Sequence, residues 1–307
     1  MIGFHVTEQR GQWVAGDGTP LVYNAVYPDS SVAEADSTPL TPHSGSPRAV
    51  VLIVHGMSEY KGRYHLLQEE LAGAGLMSYA YDQRGFGESG GIRTYVRTYH
   101  QYLDDLALVV ESIRKKHSSL PLFLVGHSLG GLITLSFCIR DQPVLQGVVV
   151  SAPVVMHTPP PFRIRFLAYL LSRILPRLSV VYGNEVKRFT HDQKVIDDFL
   201  NDPFCQNAGT PRFYTEMQRM RRNLLRDAPK FSLPLLILQG TGDQIVLPKG
   251  AQFLYDRVRS GDKRLIWYEG FFHESFNEIG RERVVADTIQ WIADRIPAKT
   301  TTVDVLR

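Results

Sequence analysis

Gly126-His127-Ser128-Leu129-Gly130 is the stretch that decides the fold of this chain, and it has the pattern Gly-x-Ser-x-Gly. A short apolar run, 122–125, precedes it, and a longer apolar segment without proline, 132–139, follows it. The serine is therefore predicted at a turn from a strand into a helix, where flanking glycines remove Cβ atoms that would clash. The first turn of that helix would direct free N–H groups and the positive end of its dipole at the serine. This arrangement is typical of a nucleophile beside an anion site.

Apolar runs and amphipathic segments alternate along most of the chain. After a strand-like segment at 19–27, apolar runs predict buried strands at 49–54, 77–81, 122–125, 148–151, 235–238 and 265–268. Helical spacing alternates with these runs at 64–74, 102–116, 129–140, 250–259 and 281–296. Strands that alternate with helices form a mostly parallel sheet with helices on both faces. The predicted fold class is therefore α/β.

One interval, 154–230, lacks a convincing buried strand and carries only helical and loop signals. Within it, six apolar residues recur with the spacing of one helical stripe. They are Leu167, Leu170, Leu171, Ile174, Leu175 and Leu178. The prolines at 159–161 favour the entry to this helix, and Pro176 should end or kink it. We interpret 154–230 as a helical cap inserted into a core formed by 1–153 and 231–307.

The composition indicates a folded protein of a reducing compartment. The chain has 307 residues, of which 44% are hydrophobic, and its two cysteines, Cys138 and Cys205, cannot form a disulfide framework. A net charge of +3 does not suggest nucleic-acid binding. Neither a signal-peptide core nor a run of about 20 apolar residues occurs. We expect a soluble cytoplasmic protein, with the polar segment 28–47 as a surface insertion.

A serine hydroxyl attacks a carbonyl only when a base lies within hydrogen-bond distance, so the chain should supply a base and an acid that orients it. His273 is favoured among the ten histidines because it follows the last predicted strand. Asp243 follows the strand predicted at 235–238. Sites in open α/β sheets form at the carboxyl ends of strands, and the order Ser, Asp, His is typical of one such fold. Ser128, Asp243 and His273 are therefore the predicted catalytic residues.

The oxyanion that forms when the serine attacks needs hydrogen-bond donors. The backbone N–H of Leu129, directly after the serine, is one predicted donor. The second should come from the loop after the strand at 49–54, which has the sequence His55-Gly56-Met57-Ser58-Glu59. We choose the backbone N–H of Met57.

Four neighbouring residues have simpler explanations. Asp82 follows another predicted strand and is a rival for the orienting acid, but its loop, with turn glycines and Arg84, is better explained as structural. His55 and His127 are expected to serve packing and loop hydrogen bonds. Cys138 lies in the helix after the serine and is expected in the core.

These residues resemble the α/β-hydrolase superfamily, and within it the monoacylglycerol lipase and lysophospholipase-like branch. The likeness extends from about residue 48 to residue 296, with the cap included. It is carried by His55-Gly56 with Glu59 and Gly62-Arg63-Tyr64, Asp82 with Arg84-Gly85 and Gly87, Gly126 to Gly131, Asn201-Asp202-Pro203, Gln239-Gly240 with Asp243, and Tyr268-Glu269-Gly270 with His273.

The resemblance implies an α/β-hydrolase fold with Ser128 as nucleophile, Asp243 and His273 as its partners, and Met57 and Leu129 as oxyanion donors. It implies hydrolysis of fatty-acyl esters, above all monoacylglycerols, without a metal or an organic cofactor. The expected partner is a small-molecule acyl ester, and no nucleic acid is expected. The cap is expected to shape an acyl-chain tunnel and to touch membranes.

Several alternatives remain at this point. A lysophospholipase, a broad-specificity carboxylesterase, or a peptidase or peroxidase variant would keep the same three residues. A non-catalytic binding member of the fold would lack one of them, and none is missing. The apolar stripe also has two interpretations. It packs on the sheet domain, or it forms an apolar surface, ringed by arginines, that enters a lipid interface. The arginines are Arg163, Arg165, Arg173 and Arg177.

Overall fold

The computed structural model describes residues 6–28, 46–181, 186–205 and 207–297. Its strands are β1 Val6–Val14, β2 Pro20–Pro28, β3 Ala49–Val54, β4 Leu76–Tyr81, β5 Leu122–His127, β6 Gly147–Ser151, β7 Val180–Val181, β8 Ala208–Gly209, β9 Leu235–Gly240 and β10 Lys263–Tyr268. Its α-helices are α1 His65–Gly73, α2 His100–Lys116, α3 Leu129–Asp141, α4 Phe162–Ile174, α5 Gln193–Asn201, α6 Pro211–Asp227, α7 Lys249–Arg257 and α8 Glu282–Ala293.

The main sheet has the strand order β1-β2-β4-β3-β5-β6-β9-β10. The six strands β4, β3, β5, β6, β9 and β10 are all parallel to one another. At one end of the sheet, β1 pairs with β2 and β2 pairs with β4 in antiparallel fashion. This confirms the mostly parallel sheet that the alternation of strand-like and helical segments predicts. Parallel pairing brings the carboxyl ends of β3, β5, β9 and β10 to one edge of the sheet.

The two outermost strands differ most from the sequence prediction. β1 was not predicted, because its sequence is mostly polar and largely exposed, and it is ordered by its pairing with β2. A buried strand was predicted at 265–268, but β10 is an edge strand in which Trp267 is 41% exposed. The prediction of full burial was wrong because an edge strand has a neighbour on one side only.

Alternate residues of the central strands supply two separate hydrophobic cores, one on each face of the sheet. In β3, Val50, Leu52 and Val54 face the core that contains residues of α2, α3 and α7. The intervening residues of β3 face the core that contains residues of α1 and α8. Because both faces are buried, the central strands are continuous apolar runs rather than alternating ones.

The chain between β6 and β9 contains α4, α5, α6 and the small β7–β8 ladder. The helix α4 begins directly after Pro161 and ends before Pro176, as the prolines predict. Its buried Ser172 hydrogen-bonds Thr215 of α6, with 2.8 Å between the two hydroxyl oxygens.

The apolar stripe of this interval does not pack on the sheet. Five of its six members are more than 40% exposed, so the interpretation as core packing was wrong. They are Leu167, Leu170, Ile174, Leu175 and Leu178.

Two further expectations concern the surface of the molecule. Most of the insertion predicted at 28–47 lies outside the described residues, so it stays a prediction. Within the part of the chain that the structure describes, none of the helices has both the length and the apolar character needed to cross a bilayer.

Candidate active site

Ser128 lies in a strained turn between β5 and α3. Its backbone angles are φ 52° and ψ −112°, a positive φ that a residue with a side chain rarely adopts. The turn is fixed by hydrogen bonds from the Ser128 N–H to the Ser151 carbonyl, at 2.9 Å, and from the Val154 N–H to the Ser128 carbonyl, at 3.2 Å. Strain of this kind persists only where the surroundings enforce it, and it often marks a functional position.

The two glycines that flank Ser128 are required by close backbone contacts. A Cβ on Gly126 would lie 2.7 Å from the carbonyl oxygen of Gly130. A Cβ on Gly130 would overlap the carbonyl oxygen of Val54, at the end of β3. The Gly-x-Ser-x-Gly pattern therefore allows α3 to start directly against the neighbouring strand, which places Ser128 at the edge of the sheet.

The structure brings Ser128, His273 and Asp243 together in one hydrogen-bonded line. The His273 Nε2 atom lies 3.0 Å from the Ser128 Oγ, and the His273 Nδ1 atom lies 2.8 Å from the Asp243 Oδ2. The three residues are 6%, 5% and 4% exposed, respectively. A carboxylate can only accept a hydrogen bond, so the proton of a neutral His273 ring lies on Nδ1 and its Nε2 faces the serine as an acceptor.

Two loops that hydrogen-bond each other hold the acid and the base in register. The Gly242 N–H, before Asp243, donates to the Phe271 carbonyl at 3.0 Å. The Gly270 N–H donates in return to the Thr241 hydroxyl at 2.8 Å. The loops after β9 and β10 thus form a single unit, and the position of Asp243 relative to His273 does not depend on the side chains alone.

The electrostatics of this unit favour an ionised acid and a basic imidazole. Burial disfavours the charged form of His273, but the nearby Asp243 carboxylate and its hydrogen bond outweigh burial and raise the pKa of His273. Burial also opposes the charge of Asp243, yet His273 and the N–H groups of Val246 and Ile245 lower the pKa of Asp243 below its usual value. These shifts suit a histidine that accepts a proton beside an ionised carboxylate.

Asp82, the rival for the acid, has a different set of partners. Its carboxylate accepts the Lys61 backbone N–H and the Lys61 ammonium, both at 2.8 Å, and the Glu88 N–H at 2.8 Å. Arg84 of the same loop pairs with Asp105. These contacts stabilise the loop after β4, as the structural interpretation predicts.

The two residues predicted to supply oxyanion donors, Met57 and Leu129, border the same cavity as Ser128. Leu129 is the first residue of α3, so its N–H has no acceptor one turn earlier in the helix. Gly56 packs on the serine, since a Cβ placed on it would lie 3.2 Å from the Ser128 Cβ. Met57 follows it directly, and both Met57 and Leu129 line the cavity that contains Ser128.

One cavity opens at the serine, and a second cavity adjoins it. The first, of about 270 Å³, is partly polar and is lined by Ser128, His273, His157 and Asn207 among others. The second, of about 250 Å³, is almost wholly apolar and lies under α4 and α6. Its walls include Ile164, Leu167, Leu171, Phe213 and Tyr214. Met57 and Met217 line both cavities, so the partly polar chamber at the serine adjoins the apolar chamber at these two residues.

His55, His127 and Cys138 are buried near the site or in the core. The His55 Nε2 accepts the Gln83 N–H at 3.0 Å, which is a loop hydrogen bond. The ring of His127 lies 4.9 Å from that of His273, and burial together with His273 lowers the pKa of His127 to about 3. His127 is therefore neutral. Cys138 is buried in the core, where burial raises the pKa of its thiol.

Sequence reasoning missed the role of a buried ionic cluster beside His273. Glu274, which follows the histidine, pairs with Arg63, and Arg63 also lies 3.5 Å from the Glu59 carboxylate. Burial, and then the charge of Glu274, raise the pKa of Glu59. Burial also opposes the charge of Glu274, but the charge of Arg63 and the hydrogen bonds from Asn277 and Arg63 together lower the pKa of Glu274. The signal available in the sequence was an acidic residue directly after the candidate base.

Comparisons with known proteins agree on one family. The family model described as serine aminopeptidase, S33, matches residues 45–280. A monoacylglycerol lipase of Mycolicibacterium smegmatis is 29% identical over 292 residues, which are 94% of this chain and 99% of that protein. Human monoglyceride lipase is 31% identical over 260 residues, 82% of this chain and 84% of that protein. The crystal structure of a monoacylglycerol lipase from Paleococcus ferrophilus superimposes with a TM-score of 0.75 at 29% identity, covering 82% of this chain and 96% of that one.

Proposed function

Since this chain belongs to the family described as serine aminopeptidase, S33, and has the α/β-hydrolase fold, we propose that it hydrolyses fatty-acyl esters, with monoacylglycerols as the main substrates. The observation that carries the proposal is the hydrogen-bonded line from Asp243 through His273 to Ser128, which faces a cavity that adjoins a second, apolar cavity. Relatives that match more than four fifths of the chain carry the names monoacylglycerol lipase and monoglyceride lipase.

The chemistry is a two-step acyl transfer. The Ser128 Oγ attacks the ester carbonyl carbon while the His273 Nε2 takes the hydroxyl proton. Asp243 holds the imidazole and stabilises its charged form. The negatively charged oxygen of the tetrahedral intermediate accepts hydrogen bonds from the backbone N–H groups of Met57 and Leu129.

The intermediate then collapses to products. The carbon–oxygen bond to the alcohol breaks, and His273 returns the proton to the leaving alkoxide oxygen. Water then attacks the acyl-enzyme with His273 again as the base, which releases the fatty acid and restores Ser128. This sequence uses only groups of the chain, the ester and water.

The two cavities fit the two parts of a monoacylglycerol. The apolar chamber under α4 and α6 suits the acyl chain, because almost all of its lining is apolar. The chamber at Ser128 offers His157, Thr158 and Asn207 as polar partners for a small hydroxylated head group. Met57 and Met217 lie where the chain would pass from one chamber to the other.

We propose further that 154–230 acts as a cap that rests on lipid surfaces. Exposed apolar side chains of α4 include Phe162 at 76%, Phe166 at 62% and Ile174 at 63% exposure. No acidic residue occurs between Asp141 and Glu185, whereas Arg163, Arg165, Arg173 and Arg177 are exposed. An apolar helix face with basic residues around it binds at membrane interfaces. A cap of this kind would collect the ester where it is most concentrated.

The test compares three proteins on one panel of substrates. The panel contains monoacylglycerols, lysophospholipids, short nitrophenyl esters and an aminoacyl nitroanilide. The proteins are the wild type, Ser128→Ala, and Ser136→Ala as a matched control. Ser136 is another buried serine, on α3, with no hydrogen-bond partner for its Oγ among the described residues.

We expect monoacylglycerols to be the best substrates, with at least a 10³-fold loss of kcat in Ser128→Ala, in the range typical of a lost triad member. A fluorophosphonate should label the wild type and Ser136→Ala but not Ser128→Ala. Higher turnover of lysophospholipids would reassign the substrate to a phospholipid. Equal turnover of short esters with none on monoacylglycerols would reject the lipid assignment. Failure of the wild type to label would indicate a non-catalytic member of the fold.

A further inference from the structure

Glu278 is a buried carboxylate that accepts hydrogen bonds from several parts of the chain. Its side chain is 1% exposed. The Oε1 atom accepts the His191 N–H at 2.9 Å and the Ile279 N–H at 2.8 Å. It also lies 3.0 Å from the Thr190 hydroxyl, which shares its one proton between Oε1 and the Asn277 carbonyl oxygen, at 2.9 Å. The Oε2 atom accepts the Phe272 N–H at 3.1 Å and lies 3.0 Å from the His191 Nδ1. An ionised carboxylate offers about four acceptor sites and no donor, and no neutral side chain of the same size accepts as many hydrogen bonds.

These donors come from two segments that meet at Glu278. Thr190 and His191 belong to the interval between β6 and β9, in the turn before α5. Phe272 belongs to the loop after β10 and is the residue directly before His273. The carboxylate therefore joins the interval proposed as the cap to the loop that carries the proposed base.

Two other contacts join the same two segments, along a boundary that we call the seam. The Glu274 N–H, on the other side of His273, donates to the Phe189 carbonyl at 2.7 Å. The ring of Phe272 packs on that of His191, with 3.7 Å between the ring centroids. Phe189 also lines the chamber that contains Ser128. Residues on both sides of His273 are thus held by the segment 189–191. Phe272 is held through Glu278, which accepts the N–H groups of both Phe272 and His191, and Glu274 is held by the Phe189 carbonyl.

The charge of Glu278 is compatible with this role. Burial opposes ionisation, but the N–H donors of His191, Ile279 and Phe272 outweigh burial and lower the pKa of Glu278. An ionised carboxylate forms stronger hydrogen bonds than a neutral acceptor. The seam is therefore held by charge-assisted bonds at neutral pH.

We propose that Glu278 is a positioning residue, which keeps His273 in line with Ser128 by tying its loop to the segment 189–191. This inference rests on the proposed role of His273 as the base. Glu278 touches neither the substrate nor the reacting atoms, and it acts through the backbone of Phe272. A consequence is that the placement of the base and the placement of this part of the cap depend on each other.

The decisive variant is Glu278→Gln, which keeps the shape but replaces one acceptor oxygen with an amide that cannot accept. Whichever way the amide turns, it meets N–H donors, so the seam loosens. We expect kcat for monoacylglycerols to fall by about 10- to 100-fold with KM within about twofold, because a displacement of about 1 Å of a catalytic group has effects of this size. The rate of fluorophosphonate labelling should fall by the same factor, since labelling also needs the base.

Two further variants make the test specific. Glu282→Gln is the matched control, because Glu282 is an exposed acid at the start of α8 and its loss should leave kcat unchanged. Thr190→Val keeps the carboxylate and removes one donor from the other side, so a smaller fall in kcat is expected. Thr190→Val also replaces Glu278→Gln as the test of the proposal if Glu278→Gln does not fold.

Circular dichroism and the urea midpoint identify variants that are folded at the assay temperature. A folded Glu278→Gln with the kcat and labelling rate of Glu282→Gln would overturn the proposal. If Glu278→Gln does not fold, an unchanged kcat of Thr190→Val would overturn it instead. An active Ser128→Ala would refute the proposed function, whereas an inactive Ser128→Ala with a fully active Glu278→Gln would refute this inference alone.

Discussion

The edge of the sheet at Ser128 and the interval between β6 and β9 use apolar side chains in opposite ways. At the sheet edge, short loops follow buried strands, and the polar residues they carry are themselves almost fully buried. In the interval, α4 exposes Phe162, Phe166 and Ile174 to solvent. In the first region, backbone contacts fix the positions of the side chains, as a catalytic site requires. The second has an apolar surface without a partner among the described residues, as expected of a region that contacts a lipid surface.

The largest effect expected in this comparison is on the buried side, at Asp243. Asp243→Asn preserves the shape but removes the charge that orients His273, so kcat should fall by about 10⁴-fold. Steady-state assays on a monoacylglycerol measure this loss. Asp256→Asn on α7, where the side chain is exposed, is the matched control and should behave as wild type. A fall in kcat of less than tenfold would contradict the role of Asp243 and favour Asp82 as the acid that orients His273.

A second effect concerns how tightly the serine turn is packed. Gly130→Ala places a Cβ on the Val54 carbonyl oxygen, a backbone atom that cannot move aside, and should lower the free energy of unfolding by about 3 kcal/mol. Urea denaturation measures this change. Gly261→Ala is the control, because a Cβ there has open space, and its effect should stay within about 0.5 kcal/mol. Equal stability of the two variants would mean that the turn is looser than the contacts indicate.

On the exposed side, single substitutions should change lipid contact and leave the chemistry intact. Phe166→Ser should weaken sedimentation with phospholipid vesicles by about tenfold, since a large apolar side chain loses roughly 1.5 kcal/mol or more of burial. Hydrolysis of a water-soluble short ester should be unchanged. Val144→Ser removes another exposed apolar side chain, 73% exposed and outside the interval, and should not affect vesicle binding. Equal binding of both variants to vesicles would contradict the proposed role of α4.

The smallest effect is a shift in the pH dependence of kcat/KM. His273 must be neutral to take the serine proton, and its pKa lies above the usual value because Asp243 outweighs burial, with smaller contributions from Glu274 and Glu59. Activity should therefore fall as the pH drops, with a midpoint above about 6.5. His127 stays neutral through this range and should not contribute. A midpoint below about 6 would show that burial dominates at His273.

The sequence predicted the sheet and the meeting of three distant residues because both follow from local signals. Buried parallel strands are apolar runs, and their carboxyl ends share one edge, so the order of the strands brought Ser128, Asp243 and His273 close. The exposure of α4 could not be predicted, because an apolar stripe looks the same whether it packs on a core or faces lipid. The Arg63–Glu274 pair was also missed, since its members lie 211 residues apart and no periodicity connects them.

Met57 connects the two chambers in a way that bears on how acyl chains of different length would be distinguished. Its side chain forms part of the wall of the apolar cavity, while its backbone N–H is proposed to hold the oxyanion. A chain that fills the cavity presses on the same residue that stabilises the transition state. We expect the length of the acyl chain to change kcat as well as KM, because the chain would then affect the transition state and not only binding. Values of kcat across a series of monoacylglycerols, compared with Met57→Ala, would detect this coupling.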